Sequence, residues 1–446
     1  MGNLFGTDGI RAKVGQYPVT PECFLKMGWA LGQWLGKGKV IIGKDTRLSG
    51  YMLESALQAG LSAAGIDVYL CGPLPTPAIA YLTQSLRAEA GLVISASHNP
   101  YNDNGLKIFS KIGLKLNQSQ QDEIEEYYHQ PMSVASSSQL GKAHRLNDAG
   151  GRYIEFLKSH FRSLNLQGLK VFLDCAHGAA YQIAPIIFKE LNAQVEIFHD
   201  QPNGYNINLN AGVMHPEIFE EKVLIAKPAL AFSFDGDADR LAVYIDGRKL
   251  DPNHILIALQ KYYEDRYQLS LGVIGTILTN SSVDQYFKRK KIPYHTTDVG
   301  DRHLIYAALE KGWFVAGEPS GHFILADKLK TADALLTALA IADAYVNHKI
   351  NVDYFEETAP LYPTVIYNYE TKQPKKILAQ TKISEKIQKI KKINQDIKII
   401  VRASGTEPVI RILCEGPNHE RLELIKNELC ELIFEYEQHI VMDHNE

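Results

Sequence analysis

One pattern constrains this chain more than any other: strand, helix, strand, helix, strand, run three times. In the first pass a β-branched run at 39–42 leads into a helix over 49–64. Ser49 serves as its N-cap, and Leu53, Leu57 and Leu61 fall at helical spacing. A strand at 66–70, a helix at 75–86 and a strand at 91–94 complete the unit. The second pass uses 169–173, 181–191 and 194–198, then a looser segment and a strand at 229–234. The third uses 272–278, 282–290, 293–297, 301–311 and 313–316. Short apolar strands joined by amphipathic helices pair in parallel through right-handed crossovers. What repeats is the architecture, since the residues themselves differ.

At 446 residues the chain is too long for a single core. The expected fold is α/β: three similar mixed α/β domains of β-α-β-α-β units, plus a C-terminal α+β domain, around one central cleft. The boundaries are read as 1–152, 153–252, 253–365 and 366–446. The Tyr/Pro-rich stretch 360–374 reads as the hinge. The last domain reads as a Lys-rich helix at 383–393, strands at 398–401 and 409–414, and a closing helix from 420.

Each third strand ends in an abrupt change of polarity. The first runs into Ser95-Ala96-Ser97-His98-Asn99-Pro100, the second into Asp235-Gly236-Asp237-Ala238-Asp239-Arg240, the third into Gly317-Glu318-Pro319-Ser320-Gly321-His322. Ligands of parallel α/β sheets gather beyond the carboxyl ends of the strands, so three such loops can share one site. Ser97, at the end of a buried strand with His98 beside it and Lys107 downstream, is placed as a nucleophile. A polar turn is the plainer reading of that stretch alone. Asp235, Asp237 and Asp239 alternate, which sets three carboxylates on one side of an extended loop. Crowded carboxylates repel unless something compensates, and oxygen donors suit a hard divalent cation. The alternative is an acidic surface turn; an EF-hand fails because Arg240 stands where glycine is required. The Arg402–Arg411 stretch, RASGTEPVIR, combines arginine forks, hydroxyls and a glycine, an inventory that suits phosphate or simply a hairpin turn.

Other classes are excluded. A formal net charge of −4 leaves no electrostatic footprint for nucleic acid. Lys288-Arg289-Lys290-Lys291 closes an amphipathic helix, where cations complement the dipole. Five scattered cysteines without a Cys-x-x-Cys pair argue for a reducing compartment and against disulfides or zinc. No apolar h-region opens the sequence, and Asp343 interrupts the longest apolar stretch, 334–346, so a cytoplasmic protein without a membrane partner is expected. The near-P-loop at 38–44 fails because Asp45 replaces the required hydroxyl and 40–42 must be strand. No Gly-x-Ser-x-Gly elbow is present.

Taken together, the motifs FGTDGIR (5–11), GKDTRLSG (43–50), PTPA (75–78), SASHNP, DNGLK (103–107), DGDADR, VGDR (299–302), GEPSGH and SGTEP resemble the α-D-phosphohexomutase superfamily from end to end, and its glucosamine branch most. That resemblance implies a Mg²⁺-dependent phosphoserine enzyme, with one Mg²⁺ per chain held by Ser97 with its phosphate and by Asp235, Asp237 and Asp239. It makes Ser97, Lys107, Arg11 and His322 catalytic. It assigns Glu318 and Ser320 to the sugar hydroxyls, and Arg402, Ser404, Gly405, Thr406 and Arg411 to the distal phosphate. The implied reaction interconverts glucosamine 6-phosphate and glucosamine 1-phosphate through a 1,6-bisphosphate and feeds UDP-N-acetylglucosamine synthesis. The same chemistry on mannose or glucose phosphates is the alternative. Glucosamine or glucose 1,6-bisphosphate is the expected activator, a kinase or bisphosphate donor primes the serine, and a homodimer is left open. The sequence departs from the family at Ala12, Ala238, Ala332 and Ala334, where glycine is usual, and at Pro319 in the sugar loop. Wherever such a glycine has positive φ, alanine costs on the order of 1 kcal/mol.

Overall fold

A computed structural model describes residues 4–6, 9–268, 270–404 and 408–442. The chain divides into two compact units, Met1–Thr279 with Lys291–Phe355, and Asn280–Lys290 with Glu356–Glu446.

Three sheets build the first unit. The first contains β1 (Ile10–Lys13), β2 (Lys39–Lys44), β3 (Asp67–Pro73), β4 (Ala90–Ile94), β5 (Asp103–Ser110) and β6 (Ala143–Arg145), in the order β1-β5-β4-β2-β3-β6. The second contains β7 (Lys170–Asp174), β8 (Gln194–Phe198), β9 (Leu230–Phe234), β10 (Leu241–Ile245) and β11 (Arg248–Leu250), in the order β11-β10-β9-β7-β8. The third contains β12 (Val273–Thr276), β13 (Tyr294–Thr297), β14 (Val315–Gly317) and β15 (Phe323–Leu325), in the order β13-β12-β14-β15.

The expected parallel trio recurs in all three. β2 pairs with β3 and β4, β7 with β8 and β9, and β12 with β13 and β14. Each sheet also has a fourth strand that sequence patterning did not reveal, antiparallel to the third: β5 on β4, β10 on β9, β15 on β14. Each polar loop is therefore the turn of a hairpin, and both of its arms can aim side chains at the site. β5 escapes detection because it reads Asp-Asn-Gly-Leu-Lys-Ile-Phe-Ser, with Asn104 and Lys107 buried where apolar residues would be expected.

The helices follow ordinary capping and burial rules. Pro21–Leu35 starts at Thr20, whose hydroxyl accepts from the Cys23 amide at 3.3 Å, and has proline at its first position. With Ser49–Ala63 it packs Trp29, Leu31, Leu53 and Leu57 against Val40, Ile42 and Leu92 of the sheet. Each such apolar side chain stabilises the fold by about 1.5–3 kcal/mol. Ala334–His348 is buried on every side from Ala334 to Ala344. It tolerates Asp343 because Tyr262 donates to that carboxylate at 2.9 Å and Arg266 pairs with it. Among the described residues no helix is long and apolar enough to cross a membrane.

The second unit is an α+β layer. β16 (Thr364–Glu370), β17 (Lys398–Ala403) and β18 (Val409–Glu415) form an antiparallel sheet in the order β16-β18-β17. Helices Thr381–Ile393 and His419–Met442 bury Ile383, Ile387, Leu429 and Ile433 against Ile399, Ile410 and Ile412. The stretch read as a hinge is thus corrected. Residues 360–374 contain β16, whose seven residues all pair with β18, and a paired strand cannot flex as a linker does. Helix Ser281–Lys290 belongs to this unit, where the Ser281 amide donates to Glu415 Oε1 at 2.8 Å.

Candidate active site

In the first unit the three hairpin turns meet. β4 delivers the chain to Ser97, which is 1% exposed and sits in the left-handed region at φ 52°. Its amide donates to Ser95 Oγ at 2.9 Å, and its own hydroxyl donates to Asp235 Oδ2 at 2.7 Å. Asp235, Asp237 and Asp239 follow β9, all buried, with one carboxylate oxygen from each within 4.8 Å of the others. Asp235 Oδ1 accepts from the amides of Asp239 and Arg240, each at 3.1 Å, which folds the loop back on itself.

Lys107 reaches in from β5, where it lies opposite Val93 of β4. Its Nζ is 2.7 Å from Asp237 Oδ2 and 2.8 Å from Asp239 Oδ2. Burial raises the Asp235 carboxyl, Asp239 and Asp237 push it the same way, and it reaches about 7. Burial also acts on Asp239, but Lys107 and His322 overcome it and hold that carboxyl well below the usual range. His322 comes from the third turn. Its Nε2 lies 3.1 Å from Asp239 Oδ1 and its Nδ1 lies 2.8 Å from Glu318 Oε1. Burial and Arg240 would lower the imidazole pKa, yet Asp239 and Glu318 carry it up to about 10. Glu318 is held down to about 2 against its own burial by His322, Ser320 and the Gly300 amide. The Ser320 hydroxyl donates to Glu318 Oε1 at 2.7 Å.

Ser97, Lys107, the three aspartates, His322, Glu318 and Ser320 therefore form one connected polar network. Arg11 lies on β1 opposite Gly105 of β5. Its charge, with burial and Arg240, helps to depress the His98 pKa to about 3, so His98 is neutral.

The expected phosphate loop is in the second unit. Arg402 of β17 and Arg411 of β18 are direct cross-strand partners, and the buried Ser404 amide donates to Val409 O at 2.9 Å. Gly405 and Thr406 lie outside the described residues.

The aspartate cluster passes a test for a cation. Its donors are all oxygen, it is buried, and among the described residues Asp237 Oδ1 has no hydrogen-bond partner while Oδ2 takes Lys107 and the Thr76 hydroxyl. A buried carboxylate oxygen left over in this way suits a hard divalent ion. Of the four alanines that replace glycines, Ala238 alone has positive φ, at 59°; Ala12, Ala332 and Ala334 carry no such strain. Sequence reasoning missed Thr76, Arg47 and Asn208. The first two lie in PTPA and GKDTRLSG, which were quoted for resemblance without a chemical role, and nothing in the sequence marks Asn208.

Comparison with known proteins places the whole chain in one family. Residues 2–134, 151–248 and 251–360 match the phosphoglucomutase/phosphomannomutase alpha/beta/alpha domains I, II and III, and residues 367–432 match the C-terminal domain of the same family. The phosphoglucosamine mutase of Vibrio atlanticus is 45% identical over 425 residues, covering 94% of this chain and 95% of the relative. That of Haemophilus influenzae is 44% identical over 438 residues, covering 96% and 98%. A phosphoglucomutase/phosphomannomutase family protein from Burkholderia thailandensis shares the fold with a TM-score of 0.80, at 22% identity over 98% of both chains. The Aspergillus fumigatus N-acetylphosphoglucosamine mutase, solved with GlcNAc-6P and magnesium, superimposes with a TM-score of 0.69 at 16% identity over 97% of this chain and 95% of that one. With all four parts of one family matched in order, and relatives at this identity spanning nearly the whole chain, the protein belongs to the phosphoglucomutase/phosphomannomutase family of isomerases and stands with its phosphoglucosamine mutases.

Proposed function

We propose that this chain interconverts glucosamine 6-phosphate and glucosamine 1-phosphate, with Ser97 as the phosphoryl carrier and a 1,6-bisphosphate as the intermediate. The observation that carries the reading is the Ser97 hydroxyl held 2.7 Å from a buried carboxylate triplet that an ammonium already bridges. Such a site concentrates charge without a base-orienting triad. That suits phosphoryl transfer, which asks mainly for positioning and for neutralising the transferring oxygens.

Asp235, Asp237, Asp239 and Ser97 with its phosphate would hold one Mg²⁺, which would supply Lewis-acid neutralisation of the phosphoryl oxygens. Ser97 carries the phosphoryl group, and a sugar hydroxyl displaces it at phosphorus. Lys107 and Arg11 bring positive charge to the transferring oxygens, and Lys107 relays the proton by giving one of its own to the departing Ser97 Oγ as it takes the one leaving the sugar hydroxyl. His322, held protonated, donates toward the same oxygens. Glu318 and Ser320 receive the sugar hydroxyls. Arg402, Ser404, Gly405, Thr406 and Arg411 grip the phosphate that is not reacting. Turning the bisphosphate over presents its other end to the unphosphorylated serine, which recovers a phosphoryl group and releases the isomer.

In this reading a trace of glucosamine or glucose 1,6-bisphosphate, or a kinase, primes Ser97, and the product feeds UDP-N-acetylglucosamine and cell-wall synthesis. The five free thiols fit the reducing cytoplasm. In this reading the four domains run 1–152, 153–252, 253–365 and 366–446, with the last boundary moved back to the start of β16 at Thr364 so that the strand stays whole.

The test is turnover of glucosamine, mannose and glucose 6-phosphates with Mg²⁺ and a trace of hexose bisphosphate. Glucosamine 6-phosphate is expected to be converted fastest. Faster mannose or glucose conversion overturns the sugar assignment, and free phosphate outpacing isomer makes the protein a phosphatase.

A further inference from the structure

Ser97 keeps a backbone conformation that non-glycine residues rarely adopt without support, with φ at 52°. The support comes from two buried side chains that hold the same two carbonyls of the loop. Arg47, fully buried between β2 and the helix Ser49–Ala63, donates through Nη2 to Ser97 O at 3.2 Å and to Asn99 O at 2.5 Å, while its Nη1 pairs with the fully buried Asp45. Asn208, from the connection between β8 and β9, donates through Nδ2 to the same two carbonyls, at 2.9 and 3.1 Å. Asn208 is itself fixed. It is 5% exposed, has φ 58°, and its amide donates to Ala176 O at 2.9 Å. The metal loop passes directly over this junction. A Cβ on Gly236 would lie 2.6 Å from Ser97 O and 2.8 Å from Asn208 Nδ2, so only glycine lets the two loops lie this close.

We infer that Asn208, with Arg47, is a positioning residue that locks the Ser97 turn against the aspartate loop by holding the carbonyls on either side of His98. Its side-chain hydrogen bonds among the described residues go to these two carbonyls and to none of the aspartate carboxylates, so it acts on the reaction through where it puts the Ser97 hydroxyl. Losing the amide frees the turn to rotate and carries the phosphoryl group away from the charges that stabilise its transfer. The inference rests on Ser97 being the phosphoryl carrier.

The test uses the full chain with Mg²⁺ and a trace of hexose bisphosphate. Asn208→Gly removes the amide and accepts the left-handed backbone; Asn208→Asp keeps the size but turns a carboxylate oxygen toward two carbonyls. Wild type and Ser97→Ala run beside them. Both Asn208 variants should lose about 10–100-fold in kcat, as a small misplacement of reacting groups does. KM for glucosamine 6-phosphate should stay within about twofold. The loss in kcat should persist when rates are divided by the phosphoserine content read from intact mass. Wild-type kcat in Asn208→Gly, or a loss that vanishes after that normalisation, overturns the inference alone. Wild type that carries no phosphate on Ser97 overturns the functional reading and the inference together.

Discussion

Ser97 and Asp235 stand 138 residues apart in the chain, yet the serine hydroxyl donates to the aspartate carboxylate at 2.7 Å. The bond joins the turn of one β-hairpin to the turn of another, and both residues are buried. Nothing local would place an unpaired carboxylate triplet at the end of an apolar strand. The arrangement persists because Lys107, on the return strand of the Ser97 hairpin, and His322, from the third turn, bring cationic groups to it.

Replacing Ser97 with alanine removes the group that carries phosphate between the two ends of the sugar. Isomerisation should fall by at least about 10³-fold, as removal of a nucleophile does. The phosphate adduct seen by intact mass should disappear with it. An active Ser97→Ala protein removes the serine from the mechanism.

Lys107→Met leaves buried carboxylates without their ammonium, and breaking a buried pair costs about 3–5 kcal/mol. The metal-free variant should melt well below wild type. Mg²⁺ should then raise its melting temperature more than it raises that of wild type, because the ion replaces a missing charge. Thermal unfolding in EDTA and in excess Mg²⁺ checks both statements, and an equal Mg²⁺ shift in the two proteins contradicts them.

Ala238→Gly relieves the one left-handed alanine in the metal loop. The gain is partly offset by the wider freedom of glycine in the unfolded chain, so a net stabilisation of up to about 1 kcal/mol is expected. Urea unfolding midpoints measure it. A destabilised Ala238→Gly protein would mean that the methyl group packs better than the strain costs.

His322 supplies a pH signature. Its folded pKa of about 10 lies above its unfolded value near 6.5, so the folded state binds the proton more tightly. The stability it contributes is complete below about 6.5 and is lost as pH rises through about 10. In EDTA, wild type should lose stability across that window, and His322→Gln should fall less steeply. Denaturation midpoints at several pH values decide this, and parallel slopes would show that the imidazole is neutral in the fold.

Much of this was legible in the residues, for a reason that concerns strands. The apolar runs at β4, β9 and β14 are buried on both faces, so each break in polarity stands out as a site. The return strands were not legible: β5 hides behind buried Asn104 and Lys107, and β15 is three residues long. β16 was mistaken for a hinge because its neighbours Ile366 and Tyr367, on opposite faces, are both exposed and blur the alternation. Arg47 and Asn208 were illegible for another reason. Their work is done on backbone carbonyls, which every residue has, so no pattern of side chains announces it.

The ammonium of Lys107 has a consequence for the order in which this protein is made. In a zinc finger the ligands repel or stay unfolded until the metal arrives, so folding waits on metal supply. Here a lysine encoded in the same chain already bridges two of the three aspartates. The new polypeptide can therefore close this charged seam before any ion is captured. If the chain works with Mg²⁺ as proposed above, scarcity of metal would then idle the finished protein without handing it to the proteases.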